Sequence, residues 1–192
     1  EKDVKSVGVG CPGSIDFENG FNVFTGETGA GKSILIDALA AGDLPRANQQ
    51  APLELTEHFS QDRQPLWRIR SAQLEENPGD AAWITRAIFD PELGRAVGLA
   101  GFHGPPDGNG MVEVGYSVDP AYRRQGYARA ALEALLAVAA GEPSIRTVRA
   151  TISPDNGASR RLVEQYGFVA TGEQWDDEDG LEIIYEVPAG GT

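Results

Sequence analysis

The chain has 192 residues, 41% of them hydrophobic, and a formal net charge of -13 at pH 7. This length and apolar content are enough for one domain with a buried core, and they exclude a largely disordered chain. The excess of carboxylates argues against a nucleic-acid partner, because proteins bind phosphate backbones through Lys and Arg. A cationic partner suits this charge, although acidity can also serve solubility alone.

The sequence also indicates the cellular compartment and whether the protein binds membranes. The apolar runs are too short to span a bilayer, and the first ten residues lack the order of a signal peptide. The single cysteine, Cys11, excludes an internal disulfide. We therefore expect a cytoplasmic protein that binds neither membranes nor nucleic acid, and the oligomeric state stays open.

The chain begins with a predicted strand, a Gly-rich loop and a helix. The strand is "FNVF" (residues 21–24), and the helix covers about residues 32–41, with Gly42 as its stop. Between them, "GETGAGKS" fits the phosphate-binding pattern G-x-x-x-x-G-K-[ST] at every fixed position. The candidate residues for nucleotide phosphates are Gly29, Ala30, Gly31, Lys32 and Ser33.

Residues 43–62 are polar and interrupted by Pro, so we predict a connection or a short broken helix, followed by a helix in "PLWRIRSAQLEENPG". Three antiparallel strands are predicted next, in "AAWITRAIFD", "RAVGLAGFHG" and "MVEVGYSV". The remaining elements are a long helix in "AYRRQGYARAALEALLAVAAGE", a strand in "VRATIS", a helix in "NGASRRLVEQY", and strands in "GFVATGEQW" and "LEIIYEV". Residues 188–192 read as a loose tail.

The stretch "YSVDPAYRRQGYARAAL" predicts a strand that ends where a helix begins. The backbone N–H groups at a helix start, with Gly126 and the small Ala128 allowing close approach, suit a pyrophosphate. Arg123 and Arg124 would add positive charge. Taken alone, an Arg-rich first turn is also typical of a solvated surface.

Residues 83–187 resemble the GNAT family of acyl-CoA-dependent N-acetyltransferases in element order and in two motifs. "RRQGYA" fits the family's [QR]-x-x-G-x-[GA] loop, and "SPDNGASRRLVEQYGF" is similar to its later segment with Asn, Ser and "YGF". The resemblance implies an α/β fold of the α+β kind: a mixed, mostly antiparallel sheet flanked by helices. It also implies acetyl-CoA as co-substrate and a small-molecule or peptide amine as acceptor, with no metal in the reaction.

The resemblance assigns roles residue by residue. Glu113 would take a proton from the amine, and Tyr166 would protonate the departing CoA thiolate. Glu113 could equally be a solvent-facing strand residue, and Tyr166 a core aromatic. The residues implied to bind acetyl-CoA are Val118, Arg123, Arg124, Gln125, Gly126, Tyr127, Ala128, Asn156 and Ser159.

The family places the turn between the last two strands near the acceptor entrance, and here that turn is acidic. Carboxylates there would attract a cationic amine such as a polyamine, an aminoglycoside or a basic protein N-terminus. The carboxylates of this turn are Asp176, Asp177, Glu178 and Asp179.

The opening "GFNVFTGETGAGKSILIDAL" is similar to the N-terminal segment of the RecN family of DNA-repair ATPases. The resemblance implies Mg-ATP at this loop, with Lys32 on the phosphates and Ser33 on Mg²⁺. The signature loop and the acidic strand of such ATPases are missing, and "AIFD", ending at Asp90, belongs to a predicted hairpin. We therefore do not expect ATPase activity.

These resemblances suggest a recombined or engineered chain, joined within a helix at "IDALAAGD". We expect one GNAT-like domain over residues 1–192, in which segment 1–42 supplies the first strand and first helix and segment 43–187 the core. Two alternatives stay open: a P-loop module that binds ATP or GTP on an inactive scaffold, and a folded chimera without activity.

Overall fold

The structure, a computed structural model, describes residues 31–51, 54–177 and 180–190, with the backbone alone at residues 31–34. The predicted strand at residues 21–24, Gly29 and Ala30 of the loop, and Glu178 and Asp179 of the acidic turn lie outside the described residues. No helix in the described part of the chain is long and apolar enough to cross a membrane.

Six helices and six strands follow one another in the described residues. The helices are α1 (Gly31–Ala40), α2 (Leu44–Gln50), α3 (Glu57–Ser60), α4 (Gln64–Glu76), α5 (Tyr127–Gly141) and α6 (Gly157–Gln165). The strands are β1 (Arg86–Asp90), β2 (Arg95–Phe102), β3 (Met111–Val118), β4 (Thr147–Ile152), β5 (Val169–Asp176) and β6 (Gly180–Pro188). Two short 3₁₀ turns, Pro78–Ala82 and Pro120–Tyr122, precede β1 and α5.

The strands form one sheet in the order β1-β2-β3-β4-β6-β5. The pair β3 and β4 is parallel, because α5 crosses over between them, and the other four neighbouring pairs are antiparallel. This sheet confirms the predicted mixed, mostly antiparallel fold.

Each face of the sheet has its own hydrophobic core. Helix α5 covers one face with Ala131, Leu132 and Leu135, whose spacing places them on one side of the helix. The first four helices cover the other face, where Leu39 of α1 and Trp67 of α4 are fully buried in the same cluster. The helix that follows the phosphate-loop motif is therefore packed into the core of the fold.

The predicted elements differ from the structure mainly at their ends. The described residues between 43 and 62 include the short helices α2 and α3, and Asp43 caps α2 by accepting a hydrogen bond from the Arg46 N–H at 3.1 Å. The strand predicted to begin at Ala81 begins at Arg86, because Pro78 starts a 3₁₀ turn instead. Such local hydrogen bonds compete with the regular pattern that periodicity alone predicts.

Candidate active site

A cleft opens in the middle of the sheet, where β3 and β4 separate. The two strands pair only over residues 111–113 of β3 and residues 147–149 of β4. Beyond this point β3 stays paired with β2 and β4 stays paired with β6. Each strand is held by its outer neighbour, so the gap between them is a fixed feature of the sheet.

The separated strands line a cavity of about 1310 Å³, which extends to α4 and to the end of β5. Its described lining is rich in carboxylates and also contains the arginines Arg63 and Arg70. The carboxylate residues are Asp62, Glu76, Glu113, Asp176, Asp177 and Glu182. The lining therefore carries an excess of negative charge.

The inner edge of β3 presents backbone groups to the cleft. The Glu113 carbonyl accepts a hydrogen bond from the His103 N–H at 2.8 Å, and the Asp119 N–H donates to the Val97 carbonyl at 3.0 Å. Both bonds join β3 to the β2 side, so alternation along the strand turns the backbone groups of the intervening even-numbered residues toward the cleft. These residues are Val114, Tyr116 and Val118.

The far end of the cleft edge leads directly into the predicted pyrophosphate loop. The Val118 carbonyl accepts a hydrogen bond from Nε of Arg123 at 3.0 Å. Gly126 occupies the N-cap of α5 at φ 93°, where a Cβ would be strained, and Arg124 is also left-handed at φ 64°. This backbone leads into the first turn of α5, whose N–H groups make no intrahelical hydrogen bonds.

The other residues predicted for this loop divide into surface and core. Arg123, Arg124 and Gln125 are exposed, whereas the Tyr127 ring is buried and its hydroxyl donates to the buried Asp90 carboxylate. The tyrosine side chain thus belongs to the core. The Asp90 carboxylate also accepts from two N–H groups of the β1–β2 turn, so it serves the hairpin.

Glu113 lies where β3 and β4 part, and it faces His103. The Glu113 carboxylate is 3.3 Å from Nδ1 of His103, and the two side chains are 19% and 48% exposed. Thr151 Oγ1 of β4 donates a hydrogen bond to the same carboxylate. A carboxylate acceptor favours the tautomer with its proton on Nδ1, which leaves Nε2 free to accept a proton.

Two neighbours shape the behaviour of His103. Burial lowers the pKa of His103 and the Arg70 charge lowers it further, while Glu113 raises it, with a net lowering. The imidazole is therefore neutral at pH 7. Gly115 makes room for it, because a Cβ there would lie 2.8 Å from Nε2 of His103.

His103, Arg70 and Tyr116 are cleft residues that the sequence analysis missed. One signal could have found His103: β2 and β3 pair as a hairpin, and Phe102 opposite Val114 puts His103 opposite Glu113. No pattern in the sequence indicates that Arg70, on α4, reaches the same place.

Tyr116 is a phenol inside the cleft. Its hydroxyl oxygen is buried and has no hydrogen-bond partner among the described residues, although the Ser159 side chain lies near it. Burial raises the pKa of Tyr116, so the phenol keeps its proton at neutral pH.

Tyr166, the predicted proton donor, lies elsewhere. Its hydroxyl donates to the Glu133 carboxylate and accepts from Arg129 at 3.0 Å, and both partners belong to α5. Burial and the Glu133 hydrogen bond raise the pKa of Tyr166, and Arg129 opposes them. The residue is not among the described residues that line the cleft.

The predicted contacts on α6 lie at the cleft. Asn156 and Ser159 both line it. Asn156 is also the N-cap of α6, since its side-chain oxygen accepts from the Ser159 N–H at 3.1 Å. The two residues therefore form one helix start beside Tyr116.

A buried histidine connects α3 to β3. His58 is 4% exposed, and its Nε2 lies 2.9 Å from the Ser117 hydroxyl, while Nδ1 lies 3.4 Å from the Asp62 carboxylate. Burial and then the Arg63 charge lower the pKa of His58. The neutral ring ties the wall of the cleft to the sheet.

The structure describes part of the predicted acidic turn and part of the predicted phosphate loop. In the acidic turn, Asp176 and Asp177 line the cleft. In the phosphate loop, Gly31, Lys32 and Ser33 form the backbone of the first turn of α1.

Comparison with known proteins identifies two segments of the chain. The model of the acetyltransferase (GNAT) domain matches residues 35–169. The model of the AAA domain matches residues 3–42. The two matches overlap at residues 35–42, around the end of α1, where the sequence predicts a junction.

Two curated proteins and one solved structure illustrate the likeness. The uncharacterized N-acetyltransferase YjdG of Bacillus subtilis (strain 168) is 31% identical over 96 residues, which are 50% of this chain and 57% of that protein. L-2,4-diaminobutyric acid acetyltransferase of Streptomyces anulatus is 28% identical over 169 residues, covering 77% of this chain and 96% of that protein. RimL, a ribosomal alpha-N-protein acetyltransferase in complex with coenzyme A, has a TM-score of 0.57 at 18% identity, covering 83% of this chain and 92% of RimL.

The family match spans well over half of the chain, and the solved structures share its fold. Because the matched segment also contains the separated strands, most of the residues that line the cleft and the start of α5, the chain belongs to the GNAT acetyltransferase family.

Proposed function

We propose that this chain is an N-acetyltransferase that moves an acetyl group from acetyl-CoA to a primary, cationic amine. The observation that carries the proposal is the cleft between β3 and β4, which contains the Glu113–His103 pair where the strands part and lies on the strand edge that continues into the start of α5. The edge of β3 thus leads from His103, which can accept a proton, to the N–H groups at the start of α5, which can bind an anion.

The residues along the cleft fit acetyl-CoA. The backbone edge at Val118 suits the amide groups of the pantetheine arm, and the N–H groups of residues 125–128 suit the pyrophosphate. Arg123 and Arg124 add charge beside that loop, and Asn156 and Ser159 close the opposite wall. When bound, acetyl-CoA supplies an acetyl group activated as a thioester.

In this proposal, Glu113 and His103 together remove the proton from the acceptor amine. A primary ammonium has a pKa of about 10.4 and must lose a proton before its nitrogen can attack a carbonyl carbon. Neutral His103 can accept that proton at Nε2, and Glu113 orients the ring and stabilises the imidazolium that forms. Glu113, predicted from sequence as the base, then acts together with a histidine.

The departing thiolate needs a proton, and two tyrosines are candidates for its source. Tyr166 remains the prediction from sequence, with a hydroxyl that is bonded to Glu133 and Arg129. Tyr116 is a second candidate, since its phenol lies in the cleft without a hydrogen-bond partner among the described residues. We favour Tyr116, because a general acid must reach the atom that it protonates.

The charge of the cleft supports a cationic acceptor. Asp176, Asp177 and Glu182 line it on the side of β5 and β6. Carboxylates in a cleft raise the local concentration of cations. The same side of the cleft contains the exposed ring of Trp175, which gives a cation an aromatic face.

We further propose that α1 is the first helix of the transferase domain and that residues 1–192 form one domain. This is supported by Leu35 and Leu39 of α1, which are buried in the same cluster as Trp67 and Leu99. Under this proposal the phosphate-loop motif is the entry to a structural helix, and Mg-ATP is not a substrate.

Paired calorimetry tests the proposal. Acetyl-CoA should bind the wild-type protein with micromolar affinity, and Arg123→Ala should weaken binding about tenfold, because it removes a charged partner of phosphate. Arg146→Ala is the matched control, since Arg146 is an exposed arginine after the opposite end of α5. Mg-ATP should give no binding heat.

Two outcomes would contradict the proposal. Equal loss in Arg123→Ala and Arg146→Ala would mean that acetyl-CoA does not use the start of α5. Binding of Mg-ATP that is lost in Lys32→Ala, together with no binding of acetyl-CoA, would favour the nucleotide-binding module instead.

A further inference from the structure

Arg70 is a buried cation to which the proposed reaction assigns no contact with a substrate. The residue is 5% exposed, on α4, and it lines the cleft. Burial of a guanidinium is costly unless its charge is compensated. The partners of Arg70 therefore decide what the residue does.

The protein partners of Arg70 are all neutral oxygens. Its Nε donates to Thr85 Oγ1 at 3.1 Å, and its Nη1 donates to Gln73 Oε1 at 2.8 Å and to the His103 carbonyl at 2.9 Å. None of the ion pairs in the described part of the chain includes Arg70. Its positive charge has no carboxylate in direct contact.

One edge of the guanidinium is left over. An arginine has five N–H donors, and the three bonds above use those of Nε and Nη1. The two donors of Nη2 have no partner among the described residues. Because Arg70 lines the cleft, a ligand there can accept hydrogen bonds from Nη2 and supply the missing negative charge.

The position of Arg70 identifies which ligand that is. Arg70 holds the carbonyl of His103, the residue that we propose takes the proton of the amine. The phosphates of CoA would bind at the start of α5, which follows the end of β3. That end, Val118, is five strand residues beyond Glu113 and therefore about 17 Å from it. The group that meets Arg70 therefore belongs to the acceptor.

On these grounds we infer that the acceptor carries a carboxylate within a few bonds of its reactive amine, and that Arg70 binds this carboxylate through Nη2. A carboxylate fits better than a phosphate, because Glu113 is close enough for its charge to act on Arg70 and would repel a dianion more strongly. The inference rests on the proposed acetyl transfer.

The carboxylates on the opposite wall extend the inference to the rest of the acceptor. Asp176, Asp177 and Glu182 would surround the part of the acceptor that lies away from Arg70. Their negative charge would attract a second ammonium group there. The acceptor class that matches both walls is the diamino carboxylic acids.

Matched acceptors test the inference directly. Lysine and cadaverine, ornithine and putrescine, and 2,4-diaminobutyrate and 1,3-diaminopropane each differ by one carboxylate. We expect at least a ~10-fold higher kcat/KM for the acid in the pair that fits the cleft, since a charge-assisted hydrogen bond contributes on this scale. The amide of the same amino acid should behave like the diamine.

Arg70→Lys should reduce this preference about tenfold through the KM of the acid, because lysine keeps the charge but loses the planar fork. The KM of acetyl-CoA should stay unchanged, and the KM of the diamine should change much less than that of the acid. Arg68→Lys is the control, as Arg68 is an exposed arginine on the same helix.

Calorimetry with the same compounds separates the inference from the proposed function. Acids and diamines that react and bind equally well, or a preference that Arg70→Lys does not change, would overturn the inference and leave acetyl transfer standing. Acids that bind through Arg70 without any acetyl transfer would overturn the proposed function and support the carboxylate site.

Discussion

Glu113 and His103 form the residue pair on which the proposed proton transfer depends. They meet because β2 and β3 form a hairpin, and their separation of 3.3 Å is short enough for the carboxylate to orient the ring. Burial and Arg70 keep the pKa of His103 below its ordinary value, whereas Glu113 raises it. The two residues should therefore change the pH profile in different ways.

The pH dependence of kcat/KM checks this arrangement. A base must be unprotonated to act, so activity should fall on acidification with a midpoint below the ordinary histidine pKa of about 6.5. Glu113→Gln removes the group that raises this pKa, so the midpoint should move to still lower pH while the rate falls. His103→Gln should abolish the midpoint and lower the rate by about 10²-fold or more.

An unchanged acid midpoint in His103→Gln would show that His103 is not the base. A rate that falls in Glu113→Gln while the midpoint disappears would return the role of base to Glu113 alone, as the sequence predicts.

Tyr116 and Tyr166 provide a second test at the scale of single residues. Tyr116→Phe should lower kcat by about 10²-fold or more at neutral pH, with little change in the KM for acetyl-CoA. Tyr166→Phe is the matched substitution outside the cleft, and it should leave kcat within about twofold. Steady-state kinetics with saturating acceptor distinguish the two variants.

The opposite pattern, with kcat lost in Tyr166→Phe and kept in Tyr116→Phe, would support the residue predicted from sequence. It would also require the Tyr166 hydroxyl to leave Glu133 and Arg129 during the reaction.

At the scale of elements, α1 is the point where two sequence resemblances meet. Four apolar residues of α1 are buried, namely Leu35, Ile36, Ala38 and Leu39. Asp37 accepts a hydrogen bond from Ser71 of α4 at 3.1 Å. The helix therefore contributes to the core as an integral element. Apolar residues of suitable size can serve the core of either parent protein.

Substitution of Leu39 checks the contribution of α1 to stability. Leu39→Ala should lower the free energy of unfolding by about 2–5 kcal/mol, because it deletes a fully buried side chain and leaves a cavity. Val138→Ala on α5 is the control, since Val138 is 39% exposed and should cost less than about 1 kcal/mol. Urea unfolding measures both values.

Equal, small effects of Leu39→Ala and Val138→Ala would show that α1 is dispensable for the transferase core. The proposed single domain would then be wrong.

At the scale of the whole molecule, charge connects the composition to the cleft. The formal net charge is -13, and carboxylates outnumber arginines in the described lining of the cleft. Long-range attraction by such a surface acts on the encounter with a cation and is screened by salt. A binding preference set by direct contact depends on salt less steeply.

The KM of a diamine acceptor should therefore rise several-fold between about 0.02 M and about 0.5 M salt, because the Debye length shrinks over this range. The double variant Asp176→Asn with Asp177→Asn should flatten this dependence. Glu92→Gln, in the exposed β1–β2 turn, is the control. A KM that is independent of salt, or an equal effect in both variants, would contradict steering by the cleft.

Local patterns in the sequence are enough to predict the order and kind of the elements and one end of the candidate site. Apolar spacing identifies α5, turn residues separate the strands, and "RRQGYA" marks the start of a helix, since each of these depends on residues close together in the chain. The register of the β2–β3 hairpin also places His103 opposite Glu113, a contact that the sequence analysis missed.

The residues that meet in the cleft from distant parts of the chain are brought together by tertiary packing. Arg70 reaches His103 through the packing of α4 on the sheet. The packing of α5 and α6 on the other face determines that Tyr116 lines the cleft and that Tyr166 does not. The separation of β3 from β4 arises because each keeps its outer partner. Such contacts bring together residues far apart in the chain, and local patterns carry no information about them.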